Sequence, residues 1–223
     1  MTATVEPPAD MLASHPETAY FWGRVVGDGA LSANCVTVRA SDETAAERLA
    51  AIAGADGVNR DIVEREYAHD TNLSRRKEEE FTVQVIGDLA DRASAAFGLP
   101  LGDQPGGYRL DALADYDRHL LRGLLEGGGT VCYRASAGVV GVSFVHEDRR
   151  LLEAVQSMLD DLPVESSAED ISEASSGRYW FGLTDEAAPA VGEWLYEGAD
   201  ESGLFDPSRR RKLIRSLEQA GYK

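Results

Sequence analysis

The sequence predicts an α+β protein made of two tandem αββαββα repeats. The first observation is a glycine pattern, G-x-x-x-G-x-G, which begins at Gly23 and recurs one hundred residues later at Gly123. The second is that β-like segments rich in Val, Thr, Phe and Tyr follow each copy as hairpins. The third is that amphipathic helical periods separate and close these hairpins. The recurrence of the same elements in the same order indicates an internal duplication.

Each repeat is predicted to contain a motif helix, a hairpin, a middle helix, a second hairpin and a closing helix. In the first repeat these cover residues 19–29, 34–40, 43–53, 58–67 with 80–86, and 88–97. Their counterparts cover residues 119–129, 130–134 with 139–145, 148–159, 169–175 with 178–183, and 185–197. Asp42 and Asp148 precede the middle helices, where an aspartate can cap free backbone N–H groups.

Proline and glycine divide the chain into four parts. Residues 1–15 are predicted to be a loose tail, 16–98 the first repeat, 99–108 a Pro/Gly-rich linker, and 109–223 the second repeat. Pro207 precedes a final helix over residues 208–220. The two cysteines, Cys35 and Cys132, fall within β-like runs and are expected to be buried core thiols.

The charge balance is typical of proteins from salt-loving archaea. The 223 residues include 39 acidic and 22 basic side chains, giving a net charge of −17, and only three of the basic residues are Lys. In molar salt the Debye length falls to about 3 Å, so this net charge neither excludes nor favours a nucleic-acid partner. No apolar run is long enough to span a membrane and the start lacks a leader pattern, so we expect a cytoplasmic protein.

The two glycine motifs could form a close contact between helices, because a glycine at every fourth position removes side chains from one stripe. The residues concerned are Gly23 and Gly27 in the first copy and Gly123 and Gly127 in the second. A single copy of the motif would be more typical of the end of a helix, because glycine is unfavourable inside one. Two copies with matching flanks favour the helix pair.

Residues 21–29 and 121–129 resemble the two copies of the LAGLIDADG motif of homing endonucleases, carried here in a single chain. The end of the chain supports this resemblance, since Leu195-Tyr196 with Ala199, followed by Arg211-Lys212, resembles a stretch that closes many domains of that family. The resemblance implies pseudo-twofold symmetry, with the paired motif helices at the centre and antiparallel, saddle-shaped sheets that face DNA. It also implies a monomer.

The resemblance further implies an acidic residue at the base of each motif, holding metal ions such as Mg²⁺ for phosphodiester hydrolysis. Asp28 occupies this position in the first repeat, but Gly128 stands there in the second. Glu126 lies about 200° around the helix and should point away from the axis. Because two-metal hydrolysis needs oxygen ligands from both sides, double-strand cleavage should be crippled, although a nick or rescue by a neighbouring acid stays possible. Asp28 could also be an ordinary surface acid.

Basic residues along the predicted strands are candidates for DNA contacts, although several glutamates are interleaved with them. Residues 75–77 are expected in the loop between two strands, where they could grip a phosphate backbone. The candidate DNA-binding residues are Arg39, Arg60, Arg65, Arg75, Arg76, Lys77, Arg134 and Arg178, and the interleaved acids are Glu64, Glu66, Glu80, Glu169 and Glu173.

Three functions remain open at this point. The first is a non-cleaving LAGLIDADG-like protein that binds double-stranded DNA, as a regulator, with no cofactor. The second is a residual, Mg²⁺-dependent endonuclease. The third is an accessory protein without a nucleic-acid role, because the chain also resembles haloarchaeal proteins that take their name from cobalamin-synthesis operons.

Overall fold

The computed structural model of the protein describes residues 8–69 and 72–222, and it describes side chains for residues 8–64 and 77–222. The first repeat contains α1 (Pro16–Asp28), β1 (Gly29–Ser32), β2 (Cys35–Ala40), α2 (Glu43–Ala53), β3 (Val58–His69), β4 (Asn72–Ile86) and α3 (Leu89–Phe97). A 3₁₀ helix, Leu110–Tyr116, leads into the second repeat. The second repeat contains α4 (Asp117–Gly128), β5 (Thr130–Arg134), β6 (Val139–His146), α5 (Arg149–Asp160), β7 (Ser172–Glu173), β8 (Tyr179–Gly182) and α6 (Ala187–Tyr196), followed by α7 (Ala199–Ser202) and α8 (Pro207–Gln219).

The predicted fold class is confirmed. Each repeat forms a four-stranded antiparallel sheet, with strand order β1-β2-β4-β3 in the first and β5-β6-β8-β7 in the second. Strand β2 alternates between half-buried and buried residues, which places Val36 and Val38 against the helices and leaves Thr37 and Arg39 on the other side. Both sheets therefore have one face covered by helices and one uncovered face.

Helices α1 and α4 pair at the centre of the molecule, where the two repeats meet. On α1, Tyr20, Phe21 and Trp22 are fully inaccessible to solvent, and on α4 so are Leu120 and Leu121. The hydrophobic core is continuous across the two repeats, because both motif helices contribute buried side chains to it. The helix pair thus fixes the position of one sheet relative to the other.

The middle helices begin where the sequence predicts. The Asp42 carboxylate accepts a 3.2 Å hydrogen bond from the Ala45 backbone N–H, and the Asp148 carboxylate accepts one of 3.0 Å from Arg150. These bonds satisfy N–H groups that would otherwise lack a partner at the start of each helix.

The structure corrects three sequence-based expectations. Residues 75–77 lie within β4 and not in a loop, because the pairing of β3 with β4 continues from Val58 and Val83 to His69 and Asn72. Strand β7 has only two residues, although residues 169–175 are predicted as a strand. The Cys35 and Cys132 thiols are half-exposed, because both lie on the uncovered faces. In the described part of the chain, no helix is long and apolar enough to cross a membrane.

Candidate nucleic-acid interface and motif base

The motif glycines lie where α1 and α4 touch. A Cβ atom at Gly23 would lie 2.2 Å from the carbonyl oxygen of Leu120, and one at Gly123 would lie 2.4 Å from that of Tyr20. At Gly27 the nearest atom would be the Leu124 carbonyl oxygen at 2.8 Å. All of these neighbours are backbone atoms, which cannot move aside as a flexible side chain could. The helices approach so closely because these positions carry no side chain.

Asp28 ends α1 and forms an ion pair with Arg39 of β2. Arg39 donates to Asp28 Oδ1 from Nη2 at 3.1 Å and from Nε at 3.3 Å, and each side chain is 38% exposed. The charge of the carboxylate at the base of the first motif is therefore already balanced by a guanidinium group.

Gly128, the counterpart of Asp28, has no space for a side chain. A Cβ atom there would lie 2.6 Å from the Gly27 carbonyl oxygen and 2.9 Å from that of Val145. Real Cβ atoms essentially never approach other atoms this closely, so any substitution must shift the backbone. The second motif thus has neither a carboxylate at this position nor the room for one.

Glu126 points into the protein interior and is completely buried. Its carboxylate accepts a 2.7 Å hydrogen bond from the Tyr20 hydroxyl and one of 2.9 Å from the Asp206 backbone N–H. The Arg24 guanidinium lies 3.6 Å from Glu126 Oε2 and 3.5 Å from Asp206 Oδ2. We call Tyr20, Arg24, Glu126 and Asp206 the buried cluster. Because Glu126 belongs to it, this acid is committed to protein contacts.

Burial governs the protonation chemistry of the buried cluster. It raises the pKa of the Tyr20 hydroxyl, and the neighbouring Glu126 charge raises it further. It also raises the pKa of Glu126, although the Arg24 charge opposes this change. Arg24 stays protonated: burial lowers its pKa, but the negative groups around it have the larger combined effect. The guanidinium therefore supplies a positive charge that the two carboxylates beside it share.

The residues at the motif bases do not fit the metal that the resemblance implies. Asp28 is paired with Arg39, Gly128 offers no ligand, and Glu126 is turned into the core. Among the described residues, no three His, Cys, Asp or Glu side chains come together in a way that could hold a metal ion. Hard cations such as Mg²⁺ need several oxygen ligands, and this arrangement supplies one carboxylate that is already engaged.

Three of the predicted DNA-contacting arginines lie on the uncovered faces. The strand register places Arg39 beside Thr82 in the first sheet, and Arg134 opposite Val139 in the second. Arg178 precedes β8 and falls on the same side as Trp180. Arg134 forms an ion pair with Asp185, so two of the three arginines already have acidic partners.

The other candidates lie elsewhere. Arg60 pairs in register with the buried Phe81, which places it on the opposite side of the sheet from Arg39, and it forms an ion pair with Glu79. Lys77 lies on that same side, 3.7 Å from Glu64. The side chains of Arg65, Arg75, Arg76 and Glu66 lie outside the described residues.

The uncovered faces carry polar groups as well as these arginines. In the first sheet Thr37 pairs with Gln84 and Asn59 with Thr82, which gives a row of uncharged hydrogen-bonding side chains. Glu80 lies on the same face, whereas Glu64 and Glu173 lie on the covered side of their sheets. Glu169 lies on the uncovered face of the second sheet, since a Cβ at Gly182 would be 3.2 Å from its Oε2.

The sequence predicts the final helix, α8, but not its contacts with the base of the second motif. Arg209 donates a 3.3 Å hydrogen bond to the carbonyl oxygen of Gly129, the last residue of the second motif. Asp206, which caps α8, also contacts Arg24 in the first repeat. An aspartate before Pro207 does indicate a helix start, but no spacing rule connects it to a residue 182 positions earlier.

Comparisons with known proteins agree with this architecture. Over residues 1–223 the sequence matches the LAGLIDADG family described as "Putative archaeal homing endonuclease". Among curated proteins no sequence matches the chain.

Three solved structures are similar to the chain. The homing endonuclease I-WcaI bound to its DNA recognition sequence has a TM-score of 0.58 and 11% identity, covering 90% of this chain and 87% of that one. Full-length WhiA from Thermatoga maritima has a TM-score of 0.54 and 10% identity, and the match covers 100% of this chain and 65% of WhiA. I-DmoI in complex with DNA and Mn has a TM-score of 0.45 and 12% identity, and the match covers 86% of this chain and 98% of that one. At these identities the likeness concerns the fold, and the family match gives the classification: the chain belongs to the LAGLIDADG family of homing-endonuclease-like proteins.

Proposed function

We propose that this protein binds double-stranded DNA across the uncovered faces of its two sheets and has lost double-strand cleavage. The packing around Gly128 supports the loss of double-strand cleavage, because a side chain there would collide with two backbone carbonyl oxygens. A carboxylate there would require the paired helices to separate.

Family membership and the fold support DNA binding. The neighbour I-WcaI is described as bound to its DNA recognition sequence, and the present chain has the same two-sheet architecture. Its uncovered faces supply guanidinium groups from Arg39, Arg134 and Arg178, together with amide and hydroxyl groups from Asn59 and Gln84 and their neighbours. Guanidinium groups bind phosphates and guanine, and amides read adenine edges, so these residue types suit a duplex.

The charges at the motif base favour binding without cutting. In two-metal hydrolysis, carboxylates on both sides hold the ions that stabilise the attacking and leaving oxygens. Here one carboxylate is paired with Arg39 and the opposite position has no side chain. A protein that occupies a site without cutting it would act as a regulator, and because one chain contains both repeats, it would do so as a monomer.

A residual endonuclease is the second candidate, and one observation favours it. The Asp28 carboxylate remains 38% exposed, so a single metal ion could still compete with Arg39 and support a nick. The two candidate functions differ in the role of Asp28. In the regulator its carboxylate only balances the charge of Arg39, whereas in the nuclease it is a ligand of the metal ion.

The test is selection of bound sites from a randomised duplex pool at molar KCl with Mg²⁺, followed by a cleavage assay on the selected sites. The variants are Asp28→Asn and Gly128→Asp. The proposal expects one enriched site, no cutting by the natural protein or by either variant, and binding retained in Asp28→Asn. Cutting that disappears in Asp28→Asn would establish the nuclease instead. No enrichment at any salt concentration would remove DNA binding and leave the accessory-protein hypothesis.

A further inference from the structure

A groove of about 470 Å³ lies between α8 and the edge strand β5. Cys132 and Tyr133 form its strand side, and Arg211, Lys212 and Arg215 line its helix side. Three cationic side chains within little more than one turn of one helix therefore border a single concave surface. This is unusual in a chain with a net charge of −17.

The cations of this groove are poorly neutralised by the protein. Arg211 approaches a carboxylate only at the limit of an ion pair, 4.0 Å from Asp42, and its side chain is 68% exposed. Within the described part of the chain, Lys212 and Arg215 have no carboxylate within ion-pair distance. By contrast, the neighbouring Arg210 is paired with Asp200. Among the described residues, the groove thus holds more positive charge than the carboxylates near it neutralise.

The surroundings of Lys212 also disfavour its positive charge. Partial desolvation in the groove lowers the pKa of its ammonium group, and the Arg209 guanidinium lowers it further. A bound anion would reverse both effects, because it would restore a hydrogen-bonding partner and an opposite charge. Two guanidinium forks beside one ammonium group match the oxygens of a phosphate.

The groove lies beside the proposed DNA-binding surface. Helix α8 starts at the base of the second motif, where Arg209 donates to the Gly129 carbonyl oxygen at 3.3 Å. Cys132, which lines the groove, lies on the uncovered face of the second sheet, in register with Gly141. A phosphate in the groove would therefore continue the uncovered face past the edge strand β5.

We propose that the groove between α8 and β5 binds a backbone phosphate of DNA through Arg211, Lys212 and Arg215. This inference rests on the proposed function, and it names a contact outside the two sheets. Among the residues that the structure describes, helix α8 has no counterpart after α3 in the first repeat. The contact would therefore be made on one side only and would orient the pseudo-symmetric protein on its site.

The test compares the double variant Lys212→Gln/Arg215→Gln with a control, Arg92→Gln/Arg149→Gln. The control removes the same charge from exposed residues that are paired with Asp10 and Glu153. DNA affinity is measured by fluorescence anisotropy across a series of KCl concentrations. The proposal expects about a tenfold loss of affinity in the groove variant and a salt slope reduced by roughly one to two. Equal affinity and equal slope in the two double variants would overturn it.

A second measurement separates this inference from the proposed function. Inorganic phosphate is titrated into the natural protein and the groove variant at low ionic strength, and amide shifts of α8 are followed by NMR. If the natural protein binds no DNA but its α8 amides shift with phosphate, the proposed function fails and the anion site stands. If the amides do not shift and DNA affinity is unchanged in the groove variant, the site is refuted. Lys212→Arg/Arg215→Lys should retain both responses, because it keeps the charges.

Discussion

The hydroxyl of Tyr20 on α1 donates a 2.7 Å hydrogen bond to Glu126 Oε2 on α4, between two fully buried side chains. Through Glu126 this contact continues to the backbone N–H of Asp206, which caps α8. The buried cluster therefore ties both motif helices to the C-terminal helix. Glu126, the acid nearest to Gly128 in the second motif, is therefore part of the structural core.

Removing the cation of the buried cluster should destabilise the protein strongly. Arg24→Met leaves Glu126 and Asp206 buried without their shared counter-charge, which should cost about 3–5 kcal/mol in the free energy of unfolding. Arg92→Met removes an exposed ion pair with Asp10 and should cost less than about 1 kcal/mol. Denaturant unfolding of both variants measures the difference, and equal losses would contradict the role assigned to the cluster.

The helix contact should not tolerate a methyl group. Gly123→Ala places a Cβ 2.4 Å from the Tyr20 carbonyl oxygen, and overpacking of this kind costs about 1–3 kcal/mol or more when only backbone can move. Gly57→Ala is the matched control, because nothing lies within 4 Å of its Cβ. Thermal unfolding should show a clear drop in Tm for Gly123→Ala alone. A similar Tm for both variants would mean that the helices can separate without cost.

Asp117, at the start of α4, should make stability depend on pH. Burial raises the pKa of its carboxyl from 3.8 to about 6, with smaller contributions from Asp161 and Asp115. The pKa of Asp117 is higher in the folded state than in the unfolded state. Its contribution to the free energy of unfolding is therefore present below about pH 4 and is lost as the pH rises through about 6. Asp117→Asn should therefore be more stable than the natural protein at pH 8, by about 1 kcal/mol after allowance for solvent screening, and not at pH 4. Unfolding curves at the two pH values test this, and a gain of equal size at both would refute it.

Asp28→Asn should strengthen DNA binding if the proposed function is right. The substitution releases the Arg39 guanidinium from its 3.1 Å ion pair and removes a negative charge beside the expected path of the phosphates. We expect an affinity gain of roughly three- to tenfold at low salt, fading as salt screens the charges. Asp111→Asn, which removes an exposed acid on the 3₁₀ helix, is the control in the same anisotropy assay. Weaker binding by Asp28→Asn would show that the carboxylate itself contributes to the complex.

Much of the fold could be predicted from the sequence, because its signals are local and occur twice. The helical periods of α2 and α5 and their aspartate caps act over a few neighbouring residues. One prediction failed where strand pairing continues through charged residues. Residues 75–77 look like a loop because they are charged, yet they continue β4 and pair with β3.

The candidate site was only partly predictable. The loss of a carboxylate at Gly128 is visible in the sequence, but the absence of space at that position depends on the carbonyl oxygens of Gly27 and Val145. Likewise, the sequence lists the arginines, while the strand register decides that Arg39 and Arg60 face opposite sides. A period of two residues means that one step along a strand reverses a side chain's direction.

The sequence by itself determined that this chain is a duplicated αββαββα protein whose second motif carries Gly128 opposite Asp28. Only the tertiary structure decided that Asp28 is paired with Arg39, that Glu126 is buried with Arg24, and that α8 lines a cationic groove at β5. The physical reason is the distance along the sequence between the residues that interact. Helical periods and caps depend on residues within a few positions of one another, whereas the distribution of charge at the motif base depends on contacts between residues up to 182 positions apart.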